Sequence, residues 1–329
     1  DNATRWKVIS RSPSYHGCTL GALAVTGFAS LTTPFAPMMQ EMPKIPAPRA
    51  YLDGLDPNDP ATVAHYADML EAQILNEGAE TVLAFLVEPI GGASTGALVP
   101  PVGYMERIRK ICDQYGVLLI LDEVMTGAGR TGAFLASEHW FARPDIVAMS
   151  KGLGAGYVPL GAVIADEKIV NAVMASGGFA HGFTYAGNPL ACAAGLAVVE
   201  EIEAQSLCAN AAVMGDTLIA RLNGLMQKHE LIGDVRGKGL LTAFEFMADR
   251  STKEPLPPHL NAHQRFVDMA YERGLIVYSR RTRDGVAGDH ILVCPPLIVD
   301  NDHIDEIIKG LDATLVEFTR YIHMQMKAG

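Results

Sequence analysis

Cysteine is sparse in this chain and never paired in sequence. Cys18, Cys112, Cys192, Cys208 and Cys294 are odd in number, widely spaced and contain no C-x-x-C. That pattern argues against a disulfide framework and a zinc site, so a reducing cytoplasm is the expected compartment. Apolar runs are too short to cross a bilayer. No stretch near the start has the charged, apolar and small-residue order of a signal peptide. Basic residues are outnumbered, and the net charge of −11 argues against nucleic acid as a main partner, because phosphate backbones require clustered Lys and Arg. Basic residues do gather at Arg280, Arg281 and Arg283 in an expected loop, where a solvated surface and a site for a small anion both stay open.

What is present is apolar. Hydrophobic residues make up 49% and charged residues only 19%, a composition that suits a compact α/β enzyme better than a disordered or fibrous chain. At 329 residues the chain can bury the core of one large or two medium domains.

Strand candidates are Trp6–Ser10, Val82–Pro89, Val117–Val124, Asp145–Met149 and Leu160–Ala165. They are Leu-rich or β-branched without polar alternation, as strands covered on both faces are. Pro101–Tyr115 reads as a helix, with Met105, Ile108 and Ile111 on one face and Gly116 at its end. The βαβ pattern predicts a mostly parallel, doubly wound sheet. Thr33–Pro60 reads as a long loop. From about Leu231 the pattern changes to strands at Leu240–Met247, Leu275–Tyr278 and His290–Val293, with a helix over His259–Arg273. A final amphipathic helix carries Ile304, Ile307, Ile308, Leu311, Leu315 and Phe318, with Asp302 as its expected N-cap. The expected division is therefore a large domain over 1–230 and a smaller α+β domain over 231–329.

Three ionisable residues finish successive expected strands: Glu88, Asp122 and Lys151. Ligands of open parallel sheets bind outside the carboxyl ends of the strands. One such charge can simply mark a strand's exit into water, but three converge on one crevice. A lysine and a carboxylate there suit pyridoxal 5'-phosphate. The amine holds the cofactor's aldehyde as a Schiff base, and the carboxylate keeps the ring nitrogen protonated so that the ring accepts electrons. The freed lysine can then move a proton at the substrate's Cα.

The segments Leu121–Gly127, Gly129–Gly132, Pro144–Val147, Ser150–Gly156 and Pro159–Ala162 resemble, in order, the signature of class III (subgroup II) aminotransferases. Ser14–Gly17, Glu88–Gly92, His181–Pro189 and Val235–Leu240 extend the resemblance over almost the whole chain. It implies the pyridoxal-phosphate transferase fold of type I, with Lys151 and Asp122 as catalytic residues. It also implies Tyr15 and Val124 against the two faces of the cofactor ring, His16 within the same motif, and Glu88 on the substrate side. Thr184 and the backbone near Phe183 would reach the phosphate from a neighbouring subunit, making a homodimer with shared active sites. Met125, where some relatives have Gln, tilts the resemblance toward ω-aminotransferases. The expected reaction moves an amino group from an amine or ω-amino acid to a keto acid, pyruvate or 2-oxoglutarate. A racemase or aminomutase of the same class, or a non-catalytic truncated chain, is the alternative.

Two departures from the family pattern bear on function. The stretch Ile291–Pro296 lacks an arginine that some members place there, which makes Arg281 and Arg283 the candidates for a substrate carboxylate. The family also has a segment before the Tyr-His-Gly motif whose N–H groups bind phosphate. Residue 1 stands just before the first strand, so the resemblance implies a chain incomplete at its N-terminus. Gly127–Gly132 also fits G-x-G-x-x-G, but Asp122 and Glu123 end the preceding strand and would repel a pyrophosphate. His259 and His263 stand four apart without a third ligand, so no metal is expected.

Overall fold

A computed structural model describes residues 4–328. Six strands form the larger sheet: β1 (Lys7–Ser12), β2 (Lys44–Pro46), β3 (Val82–Val87), β4 (Leu118–Asp122), β5 (Ile146–Met149) and β6 (Ala162–Ala165). Their order is β2-β1-β3-β4-β5-β6. Every neighbouring pair is parallel except β5 with β6, which is antiparallel. β2 lies within the stretch read as loop; three residues with a proline carry too little periodicity to announce a strand, yet they pair with Ser10–Ser12.

Helices Pro60–Glu77 and Tyr104–Tyr115 cover one face of this sheet. The first begins where Asp59 accepts a hydrogen bond from the Ala61 N–H at 2.8 Å, ahead of Pro60. Its Tyr66, Leu70 and Ile74, four apart, are all buried against the strands. The second ends at Gly116 in the left-handed conformation, and Met105, Ile108 and Ile111 face the core.

The C-terminal part builds a second, antiparallel sheet from β7 (Ile232–Lys238), β8 (Leu241–Asp249), β9 (Glu254–Pro255), β10 (Tyr278–Arg283) and β11 (Ala287–Val293). The order is β10-β11-β8-β7, with β9 against β8. Leu275–Tyr278, expected as a strand, leads into β10, which starts at Tyr278 and contains the three arginines expected in a loop. Helices Leu207–Lys228, Ala262–Tyr271 and Asn301–Ala328 close over this sheet. Phe244, Phe246, Phe266 and Phe318 interlock there, with Phe246 and Phe318 ring centres 4.6 Å apart. The last helix is capped two residues earlier than expected: Asp300, not Asp302, accepts the His303 N–H at 3.0 Å.

The two sheets are joined tightly. Ile90 and Ala97 share a buried cluster with Leu241, Ala243 and Leu292. Beside it three backbones touch. A Cβ on Gly239 would lie 2.4 Å from the carbonyl carbon of Thr131, and one on Gly215 would lie 2.3 Å from Gly239. Leu240 N–H donates to the Arg130 carbonyl at 3.0 Å across the same seam.

Candidate active site

Because β1, β3, β4 and β5 are adjacent and parallel, their carboxyl ends open on one edge. A cavity of about 750 Å³ lies there, lined among others by Tyr15, His16, Glu88, Asp122, Val124 and Lys151. The sequence places these six in four separate stretches, and the strand order brings them together.

Asp122 ends β4 with its carboxylate fixed from two sides. Oδ2 stands 2.8 Å from His16 Nδ1, and Oδ1 accepts the Val124 N–H at 3.0 Å. His16 Nε2 is buried and, among the described residues, has no hydrogen-bond partner. Glu123, the next residue, points the other way. It accepts the N–H groups of Ala136 and Ser137 and the Thr126 hydroxyl, so it secures the following turn rather than the cavity. Burial pushes its carboxyl above the usual glutamate range.

Lys151 follows β5 through Ser150, whose hydroxyl donates to the Leu160 carbonyl at 2.7 Å. Its backbone is left-handed, with φ of 44°, a conformation a non-glycine residue adopts at some cost. Among the described residues the Lys151 amine has no hydrogen-bond or ion-pair partner, and it opens onto the cavity.

Glu88 is 6% exposed. Its Oε1 accepts the Gly92 N–H at 3.1 Å, and its Oε2 has no hydrogen-bond partner among the described residues. Burial raises its pKa, with the neighbouring His16 opposing the rise. The buried Arg11 lies behind it and donates to the Glu88 main-chain carbonyl at 2.6 Å.

The arginines divide by strand parity. Side chains alternate along β10, so Arg280 faces the cavity beside Tyr278 while Arg281 and Arg283 face away. Arg281 is held by Asp289 at 3.1 Å and by the Pro258 carbonyl, and Arg283 donates to the Lys253 carbonyl. Neither of the two arginines expected at the substrate lines the cavity; both make their hydrogen bonds on the other face. Arg280 instead donates from Nε to the Tyr278 hydroxyl at 2.8 Å, and among the described residues it has no carboxylate partner. Ser94, Cys294, Phe28 and Ile276 also line the cavity without having stood out in the sequence. Phe183 and Thr184 are exposed on the surface and outside the cavity.

An unpartnered amine, a doubly anchored carboxylate and two buried polar atoms without partners fit pyridoxal phosphate. On this sheet they define a pyridoxal-phosphate-dependent enzyme of fold type I. The model of the family "Aminotransferase class-III" matches residues 1–315. An uncharacterized aminotransferase of Bacillus subtilis is 39% identical over 310 residues, covering 93% of this chain and 69% of that protein. The taurine–pyruvate aminotransferase of Bilophila wadsworthia is 38% identical over 315 residues, covering 93% and 67%. The crystal structure of an amine transaminase from an uncultivated Pseudomonas species, in its PLP-bound form, superposes with a TM-score of 0.89 at 36% identity, covering 95% of this chain and 70% of that one. The chain belongs to the class III aminotransferase family. It is an aminotransferase, and its cofactor is pyridoxal phosphate.

Proposed function

We propose that the chain transfers an amino group from an amine or ω-amino acid to a keto acid, pyruvate or 2-oxoglutarate, with Lys151 and Asp122 as its catalytic pair. The observation that carries this is the opening of both side chains onto one cavity, with Asp122 held by His16 and the Val124 N–H. Bound pyridoxal phosphate supplies an electron sink for the carbon that loses its proton. Lys151 Nζ holds the cofactor and then takes and returns the proton at the substrate's Cα. Asp122 would pair with the ring nitrogen, a task for which its fixed orientation suits it. Tyr15 and Val124 would bracket the ring. Glu88 sits on the substrate side.

A further contributor is Arg280. It lines the cavity with a guanidinium that no carboxylate neutralises, and it replaces Arg281 and Arg283 as the group for the keto acid's carboxylate.

The phosphate contacts are proposed to come from Thr184 and the backbone near Phe183 of a second copy, in a homodimer. Support comes from the segment's exposure: Phe183, Tyr185 and Leu190 are 90%, 82% and 74% exposed, more apolar surface than a lone subunit commonly leaves uncovered. A division into a cofactor domain over 1–230 and a smaller domain over 231–329 goes with this reading. Among the described residues no helix is long and apolar enough to cross a membrane, and the five cysteines are free thiols. A cytoplasmic location is the proposal that fits them.

The test is a half-reaction assay. The chain is mixed with pyridoxal phosphate and an ω-amino acid or amine, and then with pyruvate or 2-oxoglutarate, with both products followed. Formation of alanine or glutamate matched by loss of donor is expected. Racemisation of an amino acid with no acceptor present would overturn the transaminase reading.

A further inference from the structure

We infer that Arg236 is a positioning residue. From the C-terminal sheet it holds the Gly91–Leu98 loop, and with it Glu88 and Ser94, at the wall of the active-site cavity.

On the sheet side Arg236 is anchored twice. Nη1 stands 2.6 Å from Asp234 Oδ2 on its own strand, and Nη2 stands 2.8 Å from Glu245 Oε2 on β8. Glu245 is fully buried, so its charge needs a close cation. The remaining donors cross to the other sheet's loop: Nε to the Gly96 carbonyl at 2.7 Å and Nη2 to the Thr95 carbonyl at 3.0 Å. A planar guanidinium can serve two carboxylates and two carbonyls at once because its donors are fixed in a fork.

The loop is shaped to receive it. Gly96 has φ of 64°, and a Cβ there would fall 2.7 Å from Arg236 Nη2 and 2.9 Å from the His290 ring. His290 is fully buried with both ring nitrogens unpartnered. Burial and the adjacent Arg236 hold its pKa well below the usual histidine value, so it adds no second cation. Within the loop, Gly91 N–H donates to the Leu98 carbonyl at 2.9 Å and Thr95 N–H to the Gly92 carbonyl at 3.2 Å. These bonds close the loop into one unit.

That unit reaches the cavity at two points. Gly92 N–H donates to Glu88 Oε1 at 3.1 Å, which sets the Glu88 carboxyl. Ala93 and Ser94 line the cavity, and Ser94, 5% exposed, has a hydroxyl with no hydrogen-bond partner. The link from Arg236 to Thr95 and Gly96 therefore sets where the Glu88 carboxyl and the Ser94 hydroxyl stand relative to a substrate.

Arg236→Lys discriminates positioning from simple charge balance, since lysine keeps the cation for Asp234 and Glu245 but cannot span to both loop carbonyls. The full chain, loaded with pyridoxal phosphate, is compared with wild type by amide hydrogen exchange and by steady-state kinetics. We expect exchange over 91–98 to speed up about tenfold or more, with β7 and β8 unchanged. KM for the amino donor should rise about tenfold with a smaller change in kcat. Wild-type exchange over 91–98 would overturn the assignment, and so would acceleration spread evenly over the C-terminal sheet. A lysine variant that does not fold would overturn it too, making the Arg236 guanidinium a requirement of folding rather than of loop position. The exchange result stands whether or not the transaminase reading does.

Discussion

His16 Nδ1 lies 2.8 Å from Asp122 Oδ2, tying the loop after β1 to the end of β4. With the Val124 N–H on the other oxygen, the carboxylate is fixed before any ligand arrives. Preorganisation of this kind divides the expected effects of two substitutions. Asp122→Asn should lower kcat on the order of 10²–10³-fold, as loss of a charge aimed at the reacting system does. His16→Ala should lower it about 10- to 100-fold, as loss of an orienting partner does. Equal losses in the two variants would mean that His16 acts on the chemistry directly.

The proposed role of Lys151 is tested by removing its amine. Mixed with pyridoxal phosphate, the wild-type chain should show a visible absorption band of bound cofactor, and Lys151→Ala should lack it. Turnover by the variant should fall by at least about 10²–10⁴-fold, the usual worth of a positioned proton carrier. A Lys151→Ala chain with the wild-type band would remove Lys151 from the site.

Arg280→Gln and Arg281→Gln should separate cleanly. With Arg280→Gln, KM for the keto acid should rise about 10- to 100-fold, the worth of a charged hydrogen bond, while an amine donor with no carboxylate keeps its KM. Arg281→Gln should leave both KM values and instead lower the melting temperature, since it strips Asp289 of a buried partner. Steady-state kinetics and thermal melts on the same two proteins check both statements.

The raised pKa of Glu88, caused first by burial, makes a prediction about pH. Folded protein binds this proton more tightly than the unfolded chain, so the group's contribution is favourable at low pH. It is lost as pH rises from the ordinary value of 4.5 through the higher folded value. Glu88→Gln removes this loss. Thermal melts should therefore show the variant gaining on wild type as pH increases and no gain near pH 4. A constant difference across pH would mean that Glu88 does not titrate between the two values.

Phe266 meets Phe244, Phe246 and Phe318 with ring centres 5.8, 5.3 and 5.3 Å away. Phe266→Ala should cost about 3–5 kcal/mol in unfolding free energy, because fully buried aromatics leave cavities their neighbours cannot fill. Urea denaturation followed by circular dichroism measures it.

How legible all this was depends on what each element must bury. The central strands read clearly because they are apolar on both faces and end in Glu88, Asp122 and Met149-Ser150-Lys151, where the chain turns polar. β2 did not read, because Lys44–Pro46 is a strand only by pairing with β1. The arginines show the finer limit. Placing a strand over Leu275–Tyr278 rather than Tyr278–Arg283 loses the alternation that sends Arg280 one way and its neighbours the other. A one-residue slip in such a strand exchanges its faces. The link between Arg236 and Gly96 joins positions 140 apart, and no local pattern encodes it.

The contact of Thr131, Gly239 and Gly215 bears on how a substrate enters. Where main chains meet with no side chains between them, nothing is left to slide or re-pack like a lubricated hinge. The two sheets are riveted at that point. What can vary is then the side chains that line the cavity, such as Phe28, Leu31 and Ile276. Enlarging the cavity is a matter of trimming those side chains, because the main chains behind them are already in contact.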